Sequence, residues 1–313
     1  MQQVLLQAGS LFGIIILGYL LKRWHILTKK DGDVLSRMIV YVTLPAAIIV
    51  NLSDLRIQNQ LLLFIVVALI WSIFQVLLAY FTTFKQENKQ KATMMYLGSG
   101  FNIGNFLLPF IQNIQPAFVP MISMFDIGNS IMLTGGTQAV VDTLVATNQR
   151  FSFRNMLRQL LSSVPFMCYL IMFGLRYFQL SLPSYIHTFF VPLANANVFL
   201  SMFMIGLYLD FSLPKGGFKA LVKLFSLRYL VGFLLIFVIH ILPISMVEKM
   251  VLSLLCVSPI PLFGVMNAVI VGAKEEYVGF ASSLSFFQSR LYDINCFSYE
   301  LARHYPCNLA HFS

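Results

Sequence analysis

FNIGNFLLPF at residues 101–110 and SPIPLFGVMN at residues 258–267 each sit inside a long apolar run and interrupt it. Proline removes a backbone donor and disrupts a helix one turn earlier. An unpaired backbone group in lipid costs several kcal/mol, so such a break survives only where protein or water covers it. Pro109 in the first stretch, and Pro259 and Pro261 in the second, therefore predict broken helices. Asn102, Asn105 and Asn267 place uncharged donors and acceptors beside these breaks, and Gly104 leaves room for close approach.

The surroundings of both stretches are membrane-like. About 20 apolar residues cross a bilayer core of ~30 Å as a helix. Ten stretches approach that length: residues 4–21, 34–52, 60–81, 92–113, 117–140, 157–175, 186–209, 222–243, 249–270 and 277–297. The 313 residues are 58% hydrophobic and only 11% charged, with a mean hydropathy of +0.79. A soluble domain carries roughly 25% charged residues. A single core could not hide this much apolar surface, so an all-α polytopic membrane protein is predicted. Soluble enzymes, secreted disulfide scaffolds, nucleic-acid binders and disordered chains are excluded.

Charge sets the expected orientation. Lys22, Arg23, Lys29, Lys30, Lys85, Lys89, Lys91, Arg150, Arg154, Arg158, Lys215, Lys219, Lys223 and Lys274 fall in odd-numbered connections, against Arg56, Arg176 and Lys249 in even-numbered ones. Basic loops stay in the cytoplasm. Both termini are thus expected outside it, in a multi-pass protein of the plasma membrane. The first run is read as a retained span, because Lys22 and Arg23 follow it, whereas a signal peptide carries its charges in front.

The ten spans divide into two fives. Residues 1–149 form the first expected repeat and 150–289 the second, with a polar tail at 290–313. Leu44-Pro45-Ala46 in span 2 is echoed by Val191-Pro192-Leu193 in span 7, and the interrupted stretches fall in spans 4 and 9. An odd number of spans per half inverts one half against the other. Inverted repeats with interrupted helices at matching positions are the pattern of secondary transporters. Half-helix N-termini attract anions, so a site between the breaks suits a small carboxylate.

At these residues the chain resembles the auxin efflux carrier family, which includes plant auxin exporters and bacterial malate permeases. The likeness covers about residues 1–288 and rests on LSRMIVYVTLPAAIIVNL at 35–52, FNIGNFLLPF at 101–110, MFDIGNSI at 124–131 and SPIPLFGVMNAVIVGAKEEYVGFASS at 258–283. Asn102, Gly104 and Pro109 match the usual Asn-x-Gly-x-x-Gly-x-Pro of the first crossover, while Leu107 replaces its second Gly. The resemblance implies ten helices, crossed breaks in helices 4 and 9, a scaffold and a crossover subdomain, elevator-type movement and a homodimer. A malate-like dicarboxylate is the leading substrate, with an indole acid as an alternative.

The tail departs from the family pattern. Arg290 and Asp293 stand where a tenth helix should face lipid. Either the tail leaves the bilayer early or it is out of frame or truncated, in which case this copy would be an inactive carrier.

Individual residues carry two readings each. Asn102, Asn105 and Asn267 either contact substrate or satisfy backbone groups freed by the prolines. Asp126 is the one acid well inside a strong span; it either binds a coupling proton or sodium ion, or hydrogen-bonds a crossover helix. Asn129, three residues on, joins the same network. Arg228, near the cytoplasmic end of span 8, is expected to snorkel to the headgroups. Cys168, Cys256, Cys296 and Cys307 are scattered, and no histidine pair has metal-ligand spacing, so no metal and no cofactor are expected. No nucleophile–base pair points to an enzyme. The expected function is a secondary carrier of small organic anions. The alternative is a receptor or channel that binds a carboxylate without carrying it.

Overall fold

The computed structural model describes residues 2–53, 55, 59–145, 151–209, 218–274 and 277–285, and among them it contains helices and no strand. In chain order they are α1 (Gln2–Arg23), α2 (Lys29–Met38), α3 (Leu44–Leu52), α4 (Asn59–Thr82), α5 (Asn88–Gly98), α6 (Leu108–Ile114), α7 (Val119–Ile131) and α8 (Thr137–Val145). They continue with α9 (Phe153–Ser162), α10 (Val164–Tyr177), α11 (Ser184–Tyr208), α12 (Phe218–Phe225), α13 (Val231–Ile241), α14 (Met246–Cys256) and α15 (Leu262–Ile270). Residues 277–285 are also helical.

Several of these helices are continuous through a widened turn. π-Turns at Ile39–Thr43, Met132–Gly136 and Ser226–Leu230 join α2 to α3, α7 to α8 and α12 to α13. Two π-turns precede a proline. Ile39–Thr43 leads into Pro45, and Ile103–Leu107 leads into Pro109 at the start of α6. A proline ring presses on the carbonyl one turn back. In the wider turn Leu44 N–H bonds to Ile39 O and Leu108 N–H to Ile103 O, which shifts the register just ahead of the ring. Pro192, the expected counterpart of Pro45, lies inside an unbroken α11.

Among the described residues, five helical runs are each long and apolar enough to cross a bilayer: Lys29–Leu52, Leu61–Thr82, Pro116–Val145, Ser184–Tyr208 and Phe218–Ile241. α9 and α10, bent by 78° at Ser163, supply a sixth if they count as one. Part of the difference from ten apolar stretches has a simple cause. α5, α6, α14 and α15 have 11, 7, 11 and 9 residues, too short at 1.5 Å per residue to cross alone. They are the two interrupted helices expected at the prolines. The first is open over residues 99–102, ahead of its π-turn, and the second over residues 257–261. Pro259 and Pro261 sit within the second opening, whereas Pro109 lies beyond the first. Arg290, Asp293 and the tail lie outside the described residues.

The outer surface is apolar where lipid would touch it. Leu63, Ile70 and Phe74 make an exposed stripe along α4, and Leu234, Phe237 and Ile241 another along α13. Lipid tails are as apolar as leucine, so inside a bilayer helices associate through close packing rather than through the hydrophobic effect. Glycines supply that closeness here. A Cβ at Gly206 of α11 would fall 2.2 Å from Ile15 O of α1, and one at Gly18 would fall 2.5 Å from Phe203 O. Gly128 brings α7 onto α4 in the same way, with Ile65 O 2.4 Å from an added Cβ.

α11 is the centre of one group of helices, packed on α1, α2 and α3, with Thr43 Oγ1 donating to Asn197 Oδ1 at 2.9 Å. A second group gathers α4, α5, α7, α8 and α15. Gly206→Ala is expected to lower the thermal midpoint of the detergent-solubilised protein by several degrees. Gly174→Ala, whose added Cβ would meet nothing within 4 Å, should leave it level or raise it slightly. Melting followed by fluorescence-detected size exclusion checks both.

Candidate functional site

The two interrupted helices meet at their openings. Asn102 N–H donates to Pro259 O at 3.0 Å, a backbone bond from one break to the other. Gly264 of α15 approaches so closely that a Cβ would lie 2.5 Å from Tyr96 O of α5. Gly100 takes φ +71°, the left-handed region open to glycine, which lets the chain turn between α5 and the π-turn.

Buried breaks expose backbone groups that need partners. Gly100 N–H donates to Gln75 Oε1 of α4 at 3.0 Å. The Asn129 amide of α7 pairs with both backbone groups of Phe101: its Oδ1 accepts from Phe101 N–H at 3.1 Å and its Nδ2 donates to Phe101 O at 2.9 Å. Across the opening, Ile260 N–H donates to Ser285 Oγ at 3.2 Å. The carbonyls are met by Arg228. Its guanidinium donates to Leu97 O (3.2 Å), Gly100 O (3.0 Å), Ser258 O (3.0 Å) and Pro259 O (3.4 Å). Those oxygens come from both breaks.

Arg228 therefore corrects its expected position. It is 3% exposed, with its guanidinium 5.8 Å from the centre of the Phe101 ring, and it does not reach the headgroups. The π-turn at Ser226–Leu230 carries it.

Asp126 belongs to the same assembly. Asn129 Nδ2 also donates to Asp126 Oδ1 at 3.1 Å, and Tyr169 Oη of α10 donates to Asp126 Oδ2 at 3.0 Å. Both carboxylate oxygens are engaged, and Asp126, Asn129 and Tyr169 are all buried. Asp126 thus supports the amide that holds Phe101.

A cavity of about 150 Å³ opens beside the crossing. Asn102, Asn105, Leu262 and Val265 line it from the interrupted helices, and Ser282 and Ser283 from the last described helix. Lys29 and Tyr208 stand on the opposite side, at the ends of α2 and α11. Tyr208 Oη donates to Asp33 Oδ1 at 2.6 Å, and Lys22 Nζ donates to Leu209 O, so this corner is tied together. Asn105 Oδ1 is enclosed without a hydrogen-bond partner. Backbone groups freed by the breaks are satisfied by Gln75, Asn129, Arg228 and Ser285.

The structure brings Asn102 and Asn105 together at the cavity, and Asp126 with Asn129 behind it. Gly104 lies in the π-turn, where an added Cβ would come 3.0 Å from Leu44 Cδ2. Pro259 contributes its carbonyl to the crossing and Pro261 precedes the first turn of α15. Asn267 is not among the cavity residues: Leu262 and Val265 face the cavity from α15, and a helix turns Asn267 well away from them. Lys29, Ser282, Ser283 and Gln75 escaped sequence reading. Their contacts join positions far apart in the chain.

Helices apolar enough to cross a bilayer, around two broken helices that meet, define a polytopic membrane protein with a polar centre. Residues 4–155, just under half of the chain, match the family model described as membrane transport protein. The match agrees with the resemblance to auxin efflux carriers, and its description names membrane transport. No curated protein matches the chain.

Asn129→Ala strands two backbone groups of Phe101 and one oxygen of Asp126. Each lost or orphaned bond costs about 1–3 kcal/mol, so a clear drop in thermal midpoint is expected. Asn105→Ala, which removes an acceptor without a partner, should leave the midpoint nearly unchanged.

Proposed function

We propose that the chain is a secondary carrier of small organic anions, built as ten spans in two inverted five-helix repeats and working by alternating access. The observation that carries this is the cavity beside two crossed, interrupted helices, lined by Asn102 and Asn105 with Lys29 across from them. The asparagines offer uncharged donors and Ser282 and Ser283 offer hydroxyls. The Lys29 ammonium attracts negative charge. Their backbone-capping duty being filled by other residues supports substrate contact for the two asparagines.

Size narrows the substrate. A cavity of about 150 Å³ is the volume that admits a benzene-sized molecule. A four-carbon dicarboxylate such as malate suits it better than an indole acid. Lys29 lies in a connection that the basic-loop rule assigns to the cytoplasm, so this cavity is the inward-facing form. Asp126 holds the crossing on this reading, since its two oxygens are occupied by Asn129 and Tyr169.

Counterflow of labelled malate in proteoliposomes, with unlabelled carboxylates as competitors, tests the reading. Saturable exchange, inhibited by small dicarboxylates and not by indole acids, is expected. A non-saturating flux would make the protein a channel. Asn102→Ala should raise the half-saturation concentration roughly tenfold to a hundredfold, the worth of one hydrogen bond to a charged group. Asp126→Asn should lower the rate and the thermal midpoint and leave the shape of the pH profile unchanged. A flattened profile would assign Asp126 to proton coupling instead.

A further inference from the structure

Arg228 is a permanent cation in the middle of the fold, and its guanidinium donates four hydrogen bonds to backbone carbonyls. Leu97 and Gly100 contribute theirs from the opening at the end of α5. Ser258 and Pro259 contribute theirs from the opening after α14. Helix C-terminal ends carry about half a negative charge each, and α5 and α14 both end here. Unwound carbonyls and half-helix C-termini are where interrupted-helix transporters coordinate a sodium ion or a proton. In this chain a guanidinium fills that place.

We infer that Arg228 is a built-in counter-cation: it occupies the carbonyl cluster between the two breaks, so that the crossing binds no sodium ion. Three further observations support the assignment. Asn102 N–H shares Pro259 O with the guanidinium, so the side chain is part of the contact that joins the breaks. The Phe101 ring lies 5.8 Å away, a cation–π distance that favours a positive charge at this point. Arg228 Nε is enclosed without a partner. That cost is offset because the other guanidinium nitrogens meet the carbonyls of Leu97, Gly100 and Ser258 and share that of Pro259. Arg228 is therefore a positioning residue, and its charge also leaves the neighbouring cavity more attractive to an anion. The inference rests on the crossing itself and needs no identified substrate, so an absence of malate exchange would leave it standing.

The test compares sodium with choline at about 0.15 M chloride, using thermal midpoints of the purified full chain in detergent and equilibrium binding of radioactive sodium. The native protein is expected to bind no sodium at the crossing and to melt at the same temperature in both salts. Arg228→Ala is expected to melt several degrees lower in choline and to regain part of that loss in sodium, because the vacated carbonyls accept the ion. Arg228→Lys should stay indifferent to sodium, since an ammonium can sit among the same oxygens. Sodium-specific stabilisation or binding in the native protein would overturn the inference. So would a folded Arg228→Ala that ignores sodium, or an Arg228→Lys that responds to it. Should Arg228→Ala fail to fold, the native protein and Arg228→Lys decide the matter.

Discussion

Everything near the centre of this molecule answers one constraint: a helix opened inside an apolar body must find new partners for the backbone groups it frees. At the first opening, Gly100 N–H goes to Gln75, both groups of Phe101 go to Asn129, and Asn102 N–H goes to the second break. At the second, Ile260 N–H goes to Ser285. Carbonyls from both openings converge on Arg228. The partners come from α4, α7, the π-turn at Ser226–Leu230 and the last described helix. Removing any one of them would leave a polar group in a low-dielectric interior, where an unmade hydrogen bond costs more than a made one contributes. The breaks therefore dictate which helices surround them.

Much of this was legible in the sequence, and for physical reasons. Asn, Gly and Pro inside apolar runs announced both openings. Asp126 and Asn129 at a spacing of three announced one network. The expected alternatives for Asp126 narrow once Tyr169 is seen on its second oxygen. Asn102 and Asn105 reach the same cavity although Asn102 precedes the π-turn and is not helical. Asn267 is three residues beyond Gly264, on a helix whose cavity face is set by Leu262 and Val265.

Arg228 was misread because its sequence neighbourhood gives no hint of burial. A lone arginine toward the end of an apolar run satisfies the snorkelling rule, and only the arrival of carbonyls from residues 97–100 and 258–259 makes burial affordable. Lys29 was counted as a loop charge for the same reason. Its place at the cavity depends on α2 packing against α11, a contact between residues that lie far apart in the chain. Local pattern reports where a helix must open; it does not report which distant side chain fills the opening.

The two walls of the cavity are held by different kinds of contact. On one side, the Asn102–Pro259 bond, Arg228 and the Asn129 amide join the interrupted helices to each other and to α7. On the other, Tyr208–Asp33 and Lys22–Leu209 bind the end of α11 to α1 and α2. Met204, Ile205 and Leu209 face the crossing across the cavity as apolar surface. Polar bonds with fixed geometry resist sliding, while apolar packing without directional bonds tolerates it. If the carrier alternates access as proposed, the weakest plane is the one the cavity already occupies. The crossing would then move as a unit past α11, carrying Asn102 and Asn105 with it and leaving Lys29 behind. A substrate held from both walls would favour the closed arrangement, and its release toward the cytoplasm would begin with loss of the Lys29 contact.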